Sequence, residues 1–322
     1  MTDTFDYDLF IVGAGSGGVR AARMAASQGA RVGVAEDRDL GGTCVNVGCV
    51  PKKLFVYASK FPDIFHIGNS YGWSFDSAKF DWHALRDNKN SEIARLNTIY
   101  ADLLNSSGAD LFSERAFLKG PNTVIVGGKS YSARYILLAV GGWPYIPEFP
   151  GSQYALSSNE MFFLERLPET AVVVGGGYIA LEFAGILNGL GVSTHLIYRG
   201  QRLLKSFDSE MTDKVEQGMR SKGVKIHLNT KVDSIEFVNE SHDVFLSDGR
   251  CVSADLVLYA TGRRANTNHL GLENTSVKTR HDGSIIVDKD FRTHEPSIFA
   301  LGDVIDRVQL TPVAIQEAMV LV

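Results

Sequence analysis

Two cysteines five positions apart are the residues of this chain best suited to chemistry. Cys44 and Cys49 lie within the run from Gly41 to Lys53, with glycines before and between them and two lysines behind, and the 322-residue chain has only three cysteines in all. In a cytosolic chain such a pair is typical of redox or metal chemistry rather than of a structural disulfide. A nucleotide-binding motif about thirty residues upstream favours redox chemistry.

The metal alternative finds little support in the rest of the sequence. A four-ligand zinc site would need two further cysteines or histidines at a recognisable spacing. Cys251 stands alone and the eight histidines are scattered. We therefore predict no metal site and expect Cys251 to be an inert packing residue.

The spacing of the two cysteines also restricts how they can meet. Five residues along an ideal helix span about 7.5 Å, which exceeds the usual Cα separation of a disulfide. We expect Cys44 and Cys49 to lie where a helix begins, with its first turn distorted by Gly48 and the preceding Gly41 and Gly42. A helix N-terminus would also favour a thiolate at this point.

Composition excludes several classes of partner. The chain is 44% apolar and 21% charged with a net charge of -5, which is typical of a soluble globular protein and gives no electrostatic reason to expect nucleic acid or an anionic membrane. No run approaches the roughly 20 apolar residues of a membrane span. The acidic start of the chain, Met1 to Asp8, is unlike a secretory or organellar leader, so we predict a cytoplasmic location.

The pattern before the cysteines predicts a strand–helix–strand unit. A β-type run from Tyr7 to Val12 leads into a glycine-rich turn, a helical stretch from Val19 to Gln28 and a second strand from Arg31 to Glu36. The glycines have the G-x-G-x-x-G spacing that lets a backbone approach a pyrophosphate at a helix N-terminus. Glu36 follows Gly13 by 23 residues, which is where a carboxylate meets a ribose diol.

The same pattern recurs in the middle of the chain. A strand from Thr170 to Val174 precedes the glycine-rich run Gly175 to Ala180, a helix from about Leu181 to Leu190 and a strand from Val192 to Tyr198. The chain therefore carries two related nucleotide-binding units, and we expect two dinucleotides.

The two copies differ at the end of the second strand. Tyr198 occupies the position that corresponds to Glu36, and the basic residues Arg199, Arg202 and Lys205 follow it. An acid at this position selects a free ribose 2′-hydroxyl, whereas basic residues without the acid suit a 2′-phosphate. We therefore assign FAD to the first unit and NADPH to the second. The alternative for the basic residues is a solvated loop.

Several separated motifs carry a resemblance to a known family. The sequence resembles the glutathione reductase branch of the FAD-dependent pyridine nucleotide-disulfide oxidoreductases, and the resemblance covers all 322 residues. Lys52 distinguishes this branch from lipoamide dehydrogenases, which usually carry serine there. The matching segments are residues 41–53, 177–182, 199–208, 260–263, 302–303 and 310–314.

The resemblance implies a role for each residue of an electron relay. Cys49 would be the thiol nearest the flavin, and Cys44 the interchange thiol that attacks the disulfide substrate. Lys52 would lie near flavin N5, paired with Glu182 from the other domain, because a cation there stabilises the reduced ring. Tyr178 would cover the empty nicotinamide pocket.

The resemblance and the two glycine motifs together give the predicted cofactor residues. Asp303 would bind the ribityl-phosphate side of FAD and Thr311 would lie near the pyrimidine edge. The predicted FAD residues are Gly13, Gly15, Ser16, Gly17, Gly18, Glu36, Gly42, Thr43, Lys52, Gly141, Asp303 and Thr311. The predicted NADPH residues are Gly175, Gly177, Tyr178, Ile179, Ala180, Glu182, Arg199, Lys205, Gly262 and Arg263.

The substrate residues follow from the charge of glutathione disulfide, whose carboxylates need cations. Arg20 and Arg23 lie about one helical turn apart and can share a face. Ser16, Arg23 and Tyr100 match positions that contact the substrate in glutathione reductases, and the two arginines argue against a cationic, trypanothione-like substrate. The alternative is that both arginines are surface residues in contact with water.

These observations predict an α/β protein with two Rossmann-like dinucleotide-binding domains of the three-layer ββα type. We expect a discontinuous FAD domain, residues 1–145 and 266–322, and an NADPH domain, residues 146–265. The predicted activity is NADPH-dependent reduction of glutathione disulfide through FAD and the Cys44–Cys49 pair.

The resemblance also implies an interface domain and an acid–base pair that we do not expect in this sequence. Full-length members of the family are homodimers with a C-terminal interface domain, which brings a His–Glu acid–base pair to the partner's active site. None of the eight histidines has the expected context. The alternatives are therefore a cofactor-binding fragment without full turnover, or reduction of a different disulfide.

Overall fold

The computed structural model describes residues 5–74 and 78–322 and divides the chain into two compact units. The first unit comprises Met1–Val50, Ser91–Trp143 and Arg263–Val322, and the second comprises Pro51–Asn90 and Pro144–Gly262. The predicted domain boundaries at 145/146 and 265/266 lie close to two of these divisions, but residues 51–90 were expected in the first domain. The assignment of each domain to a cofactor stays a prediction.

A parallel sheet forms the centre of the first unit. Its strands are β1 (Tyr7–Val12), β2 (Val32–Ala35), β3 (Asp110–Phe112), β6 (Lys129–Leu138) and β16 (Ile298–Ala300). The order is β3-β2-β1-β6, with β16 also paired to β6, and all of these pairings are parallel. Phe10 and Ile11 of β1 are fully buried, which explains the apolar run that predicted this strand.

The long strand β6 joins this sheet to an antiparallel one. Residues 129–132 of β6 pair antiparallel with β5 (Thr123–Val126), which pairs with β4 (Ala116–Gly120). The remainder of β6 continues into the parallel sheet, with Leu138 opposite Val12. Two short strands, β7 (Gly142–Pro144) and β15 (Arg263–Ala265), form a separate pair.

Two helices of the first unit, near its N-terminal end, follow glycine-rich segments, and a third lies near residue 322. They are α1 (Ser16–Ser27), α2 (Gly42–Asn46) and α8 (Thr311–Leu321), while α3 (Cys49–Ser59) and α5 (Trp82–Ser107) each cross a boundary of the division. Helix α1 begins at Ser16 rather than at the predicted Val19, because Gly17 and Gly18 are part of its first turn. This brings the helix N-terminus directly to the glycine loop.

The second unit repeats the parallel arrangement on a smaller scale. Its parallel sheet has the order β10-β9-β8-β14 and its antiparallel sheet the order β11-β12-β13. The strands are β8 (Thr170–Val174), β9 (Ser193–Ile197), β10 (Lys225–His227), β11 (Val232–Val238), β12 (Ser241–Leu246), β13 (Cys251–Ala254) and β14 (Leu256–Tyr259). The helices are α4 (Phe61–Asn69), α6 (Tyr178–Gly189) and α7 (Ser209–Ser221). Short 3₁₀ helices occupy Ser152–Tyr154, Glu160–Phe163, Leu272–Asn274 and Gly302–Ile305.

The second glycine loop also enters its helix earlier than predicted. Helix α6 begins at Tyr178, not Leu181, since Gly177 is its N-cap residue. In the described part of the chain, no helix has the length and apolar character needed to cross a membrane.

Candidate active site

The segment between the two cysteines is a tight turn between two helices. Cys44 lies in α2, and α3 begins at Cys49. A Cβ atom added at Gly48 would lie 2.6 Å from the Thr43 carbonyl oxygen and 3.2 Å from the Cα atom of Cys44, so the chain folds back closely here. Only glycine allows this approach. The distorted helix start that the spacing predicted is therefore present, and it brings the two cysteines near each other.

Asn46 anchors this turn, a role that the sequence analysis missed. Its side-chain amide donates to the carbonyl oxygens of Asp39 (3.2 Å), Leu40 (3.0 Å) and Gly42 (2.9 Å), and its side-chain oxygen accepts from Asn97 of α5 at 2.8 Å. The residue is 9% exposed, so these bonds are made away from water. Its position between the cysteines was the only sequence signal for it.

A pocket in the first unit contains Cys44 and all four predicted substrate residues. Tyr100 comes from α5, and Ser16, Arg20 and Arg23 come from α1. Burial raises the pKa of the Tyr100 hydroxyl, and Cys44 acts in the same direction while Arg23 opposes it. The lining residues are Ser16, Val19, Arg20, Arg23, Cys44, Val45, Tyr100, Leu103, Thr311 and Ile315.

This pocket combines a thiol with two cations. Arg20 and Arg23 lie three residues apart on α1, and both line the pocket. As their spacing predicted, the two arginines share one face of α1, and this face lines the pocket that contains Cys44. Such an arrangement suits a disulfide that carries carboxylates.

The first glycine loop is built around a partly buried carboxylate. Glu36 at the end of β2 accepts hydrogen bonds from the backbone N–H groups of Ala14 (2.7 Å) and Arg38 (3.2 Å). Burial raises the pKa of Glu36, whereas the bond from Ala14 lowers it. Gly13 has φ +103°, and a Cβ atom added there would lie 2.5 Å from the Ala139 carbonyl oxygen. The loop thus needs glycine and presents an acid at the predicted ribose position.

Asp303 is the second acidic residue of the first unit that is predicted to bind FAD. It follows β16 in the 3₁₀ helix Gly302–Ile305, and burial raises its pKa while Arg263 opposes the rise. The Arg263 Nε atom lies 3.9 Å from the Asp303 carboxylate, and its guanidinium also donates to the Gly142 carbonyl oxygen. Arg263 was predicted to contact NADPH, but these contacts place it among the predicted FAD residues, which favours a role there.

The second glycine loop has an aromatic ring where the first has its acid. Tyr198 packs against Gly176, since a Cβ atom added at Gly176 would lie 2.5 Å from the Tyr198 ring. The backbone N–H of Leu204 donates to the Gly176 carbonyl oxygen at 2.8 Å, so the basic segment after β9 folds onto the glycine loop. Arg199 and Lys205 of this segment are exposed.

The remaining residues predicted for the second site lie around the same loop. Tyr178 is the first residue of α6 and its side chain is 50% exposed, whereas Ala180 is fully buried. Gly175 and Gly262 have φ of +145° and +146°, respectively.

The predicted ion pair between Lys52 and Glu182 forms at 2.7 Å. Both residues belong to the second compact unit, so Glu182 does not come from a different unit as predicted. Behind the pair, Phe162 packs between Phe55 of α3 (5.8 Å between ring centroids) and Phe183 of α6 (5.4 Å). Because Phe55 and Phe183 are neighbours of the ion pair on the same helices, this aromatic cluster fixes the two helices that carry it.

The buried Lys89 contacts this aromatic cluster, and the sequence analysis did not predict that contact. Its side chain is 2% exposed, and its Nζ atom donates to the Phe162 carbonyl oxygen at 2.8 Å. Burial lowers the pKa of Lys89 to about 8. A lysine in an otherwise polar stretch of α5 gave no signal of burial.

Two further expectations concerned a metal site and Cys251. Within residues 5–74 and 78–322, no group of three or more His, Cys, Asp or Glu residues could hold a metal ion. Cys251 is exposed at the start of β13, so the expectation that it packs in the core is wrong. The alternation of β13 turns Val252 inward and Cys251 outward.

Comparison with known proteins identifies the class that this fold and site define. Residues 7–318 match the family described as pyridine nucleotide-disulphide oxidoreductase, and the chain belongs to this family. The predicted family and fold class are thereby confirmed.

Within that class, the chain is similar to glutathione reductases. It is 43% identical to the enzyme of Nostoc sp. (98% of this chain and 71% of that protein) and 43% identical to that of Burkholderia cepacia (97% and 70%). It is 44% identical to the chloroplastic/mitochondrial glutathione reductase of Pisum sativum (98% and 60%). Among solved structures, the Cu(II) complex of the HOCl-induced flavoprotein disulfide reductase RclA from Escherichia coli has a TM-score of 0.87 at 25% identity, covering 97% of this chain and 69% of that one.

Proposed function

We propose that this protein reduces glutathione disulfide with NADPH, using FAD and the Cys44–Cys49 pair. The observation that carries the proposal is the pocket in which Cys44 shares its walls with Arg20, Arg23 and Tyr100. The similarity to glutathione reductases supports the same substrate. A cytoplasmic location and the homodimer of full-length relatives stay predictions.

The residues of the first site fit FAD. Glu36 has two carboxylate oxygens near the glycine loop, and a ribose diol can donate to such a group. Gly13 and Gly15 leave room for a pyrophosphate at the N-terminus of α1, where backbone N–H groups bind anions. Within residues 5–74 and 78–322, no backbone N–H group donates to the Asp303 carboxylate, whereas that of Ala14 donates to Glu36.

The residues of the second site fit NADPH. Tyr198 removes the acid that would repel a 2′-phosphate, and Arg199 and Lys205 supply exposed cations on the segment that folds over the loop. The N-terminus of α6 offers the same anion-binding geometry as α1.

When bound, NADPH supplies a hydride and FAD passes its two electrons to a disulfide. This chain's own residues then carry out thiol–disulfide exchange. The Cys44 thiolate attacks one sulfur of glutathione disulfide, which releases one glutathione thiolate and leaves a mixed disulfide on Cys44. The Cys49 thiolate attacks the Cys44 sulfur, which releases the second glutathione and restores the Cys44–Cys49 disulfide. The two thiolates released take up two protons.

The surroundings of the cysteines suit each part of this exchange. Cys49 lies at the N-terminus of α3, where unpaired backbone N–H groups stabilise negative charge. Arg20 and Arg23 would bind and orient the carboxylates of the substrate. Because burial raises the pKa of Tyr100, its hydroxyl stays protonated and can donate a hydrogen bond within the pocket. The ion pair of Lys52 with Glu182 holds a cation at a defined position.

The test is an NADPH oxidation assay with glutathione disulfide after loading the protein with FAD. Cys44→Ser and Cys49→Ser should each abolish turnover, while Cys251→Ser should retain it because Cys251 lies on β13, outside the pocket. Turnover that survives Cys44→Ser would refute the proposal. Reduction of the bound flavin by NADPH without any consumption of glutathione disulfide would instead support a cofactor-binding protein.

Substrate choice is tested separately. Arg23→Ala should raise the KM for glutathione disulfide more than the KM for an uncharged disulfide. Arg95→Ala is the matched control, since Arg95 lies on α5 and pairs with Glu92 at 2.8 Å, outside the pocket. Equal effects of Arg23→Ala on both substrates would argue against the carboxylate-binding role.

A further inference from the structure

Arg38 and Trp143 form a close stack that neither the sequence motifs nor the proposed catalysis uses. The guanidinium carbon of Arg38 lies 3.9 Å from the centroid of the Trp143 ring. Trp143 is nevertheless 39% exposed. A guanidinium placed over an exposed indole is a specific contact between the loop after β2 and strand β7 rather than part of a buried core.

The topology places the two partners on either side of the first glycine loop. Arg38 follows β2 and Trp143 follows β6, while the sheet order β2-β1-β6 puts β1 between them. The glycine loop leaves the carboxyl end of β1, and in a parallel sheet the carboxyl ends of neighbouring strands share one edge. The stack therefore joins the loop after β2 to strand β7, which follows β6.

Each partner is also tied to a predicted FAD residue. The backbone N–H of Arg38 donates to the Glu36 carboxylate at 3.2 Å. Trp143 follows Gly142, where an added Cβ atom would lie 3.4 Å from the Cβ atom of Asp303. One end of the stack is thus fixed beside the predicted ribose acid, and the other beside the acid predicted to face the ribityl phosphate.

We propose that Arg38 and Trp143 form a strap across the FAD site that slows dissociation of the cofactor. In FAD the pyrophosphate joins the adenosine ribose to the ribityl chain, so a bridge between Glu36 and Asp303 passes its position. The Arg38 guanidinium supplies positive charge there, and the Trp143 ring holds that side chain in place. This inference rests on the proposal that the first site binds FAD.

The experiment measures the rate at which FAD leaves the purified holoprotein, followed by the fluorescence of the released flavin after dilution. Cation–π contacts at exposed sites contribute about 0.5–1 kcal/mol, which corresponds to a change of roughly two- to fivefold. Arg38→Met and Trp143→Leu should each speed FAD release by about that factor. The double variant should release FAD no faster than the quicker single variant, because the two residues act as one unit.

Arg134→Met and Tyr135→Leu are the matched controls. These two residues form an Arg–aromatic contact of 5.4 Å on β6, and Tyr135 is 40% exposed, nearly the same as Trp143. Both control variants should release FAD at the wild-type rate. Arg38→Lys keeps the charge but not the planar stack, so it should release FAD faster than the wild type and no faster than Arg38→Met.

Three results would overturn the strap: wild-type release rates in Arg38→Met and Trp143→Leu, additive effects in the double variant, or a wild-type rate in Arg38→Lys. The urea midpoint of each apoprotein shows whether faster FAD release reflects a loss of stability. A variant whose midpoint shifts no more than those of the control variants still tests the strap. If the wild-type protein binds no FAD, the proposed function fails and the strap fails with it. If the wild type binds FAD and the variants do not differ from it, only the strap fails.

Discussion

The two glycine loops of this protein share one frame. Gly13 follows β1 with φ +103°, and Gly175 follows β8 with φ +145°. In both loops a Cβ atom would collide with a backbone carbonyl oxygen of the chain alongside, that of Ala139 in the first and that of Ala260 in the second. The feature that the two loops share is therefore a close backbone crossing, which fixes the direction of each helix N-terminus.

The copies differ where the helix meets the loop and where the second strand ends. The first has Gly18 and Glu36, and the second has Ala180 and Tyr198 at the corresponding positions. The Glu36 carboxylate is hydrogen-bonded into its loop, whereas the Tyr198 ring covers Gly176 and basic residues follow it. The comparison separates a shared backbone frame, which suits a dinucleotide, from the strand-end residue that is predicted to distinguish FAD from NADPH.

The largest expected effect tests the frame itself. Gly18→Ala places a Cβ atom on the Gly13 carbonyl oxygen, and because that oxygen belongs to the backbone it cannot move aside. We expect a loss of about 1–3 kcal/mol in the free energy of unfolding, measured by urea denaturation, together with loss of FAD binding.

Gly177→Ala is the control for this change in the second loop. An added Cβ atom there meets nothing within 4 Å, and the residue has φ of -90°, so stability should be unchanged within about 0.5 kcal/mol. If Gly18→Ala unfolds at the wild-type urea concentration, the close crossing is not what the first loop requires.

The next effect concerns the acid. Glu36→Gln keeps the shape of the side chain but removes the charge that accepts from Ala14 and from a ribose diol. Hydrogen bonds to charged groups contribute about 1.5–3 kcal/mol, so FAD affinity should fall by roughly tenfold or more in a fluorescence titration. An unchanged dissociation constant would show that Glu36 supports the loop rather than the cofactor.

A smaller effect is expected at the basic segment of the second copy. Arg199→Ala and Lys205→Ala should each lower the preference for NADPH over NADH by about fivefold or less, since single exposed ion pairs contribute about 0.2–1 kcal/mol. The measurement is kcat/KM for each nucleotide. Arg220→Ala, which removes an exposed arginine paired with Glu216 on α7, should leave the preference unchanged. A preference for NADPH that persists without both Arg199 and Lys205 would refute their role.

The last expected effect is a pH dependence of stability that arises at two histidines of the second copy. His195 occupies the position that corresponds to Gly33, and its Nδ1 atom lies 3.2 Å from Nε2 of His227, with the Lys225 ammonium 3.3 Å from its Nε2 atom. Burial lowers the pKa of His195 to about 4, and nearby Lys225, His227 and Arg250 act in the same direction. Burial also lowers the pKa of His227.

Since unfolding frees these rings to bind protons near pH 6.5, stability should be complete above that pH and fall as the pH drops towards 4. Urea titrations at several pH values measure this loss. His195→Gln should make the profile flatter, whereas His281→Gln should not, because His281 is exposed and belongs to the first unit, while the pair belongs to the second. A profile that is equally steep in His195→Gln would show that the pair does not cause it.

Local sequence determined the elements that chemistry needs. Glycine spacing identified both loops because a positive φ and a close backbone crossing leave no other residue type available. Strands β1 and β8 were predicted to the residue, since buried parallel strands are continuous apolar runs. Helix starts were missed by three residues, because the glycines that weaken helix propensity are themselves part of the first turn.

Long-range packing determined the contacts that sequence patterns could not predict. The hydrogen bonds of Asn46 with Asn97, the burial of Lys89 and the contacts of Arg263 with Asp303 each join residues at least 40 positions apart, for which neither periodicity nor motif gives a signal. Residues 51–90 pack with the second unit although they follow the cysteines directly.

The sequence by itself decided the chemistry, because cysteine spacing, glycine loops and strand-end charge are local properties of the chain. Only the tertiary structure decided which side chains surround that chemistry. Arg20, Arg23 and Tyr100 line the pocket of Cys44 because helices α1, α2 and α5 meet there. Arg38 meets Trp143 because the parallel sheet gathers the carboxyl ends of strands distant in sequence at one edge.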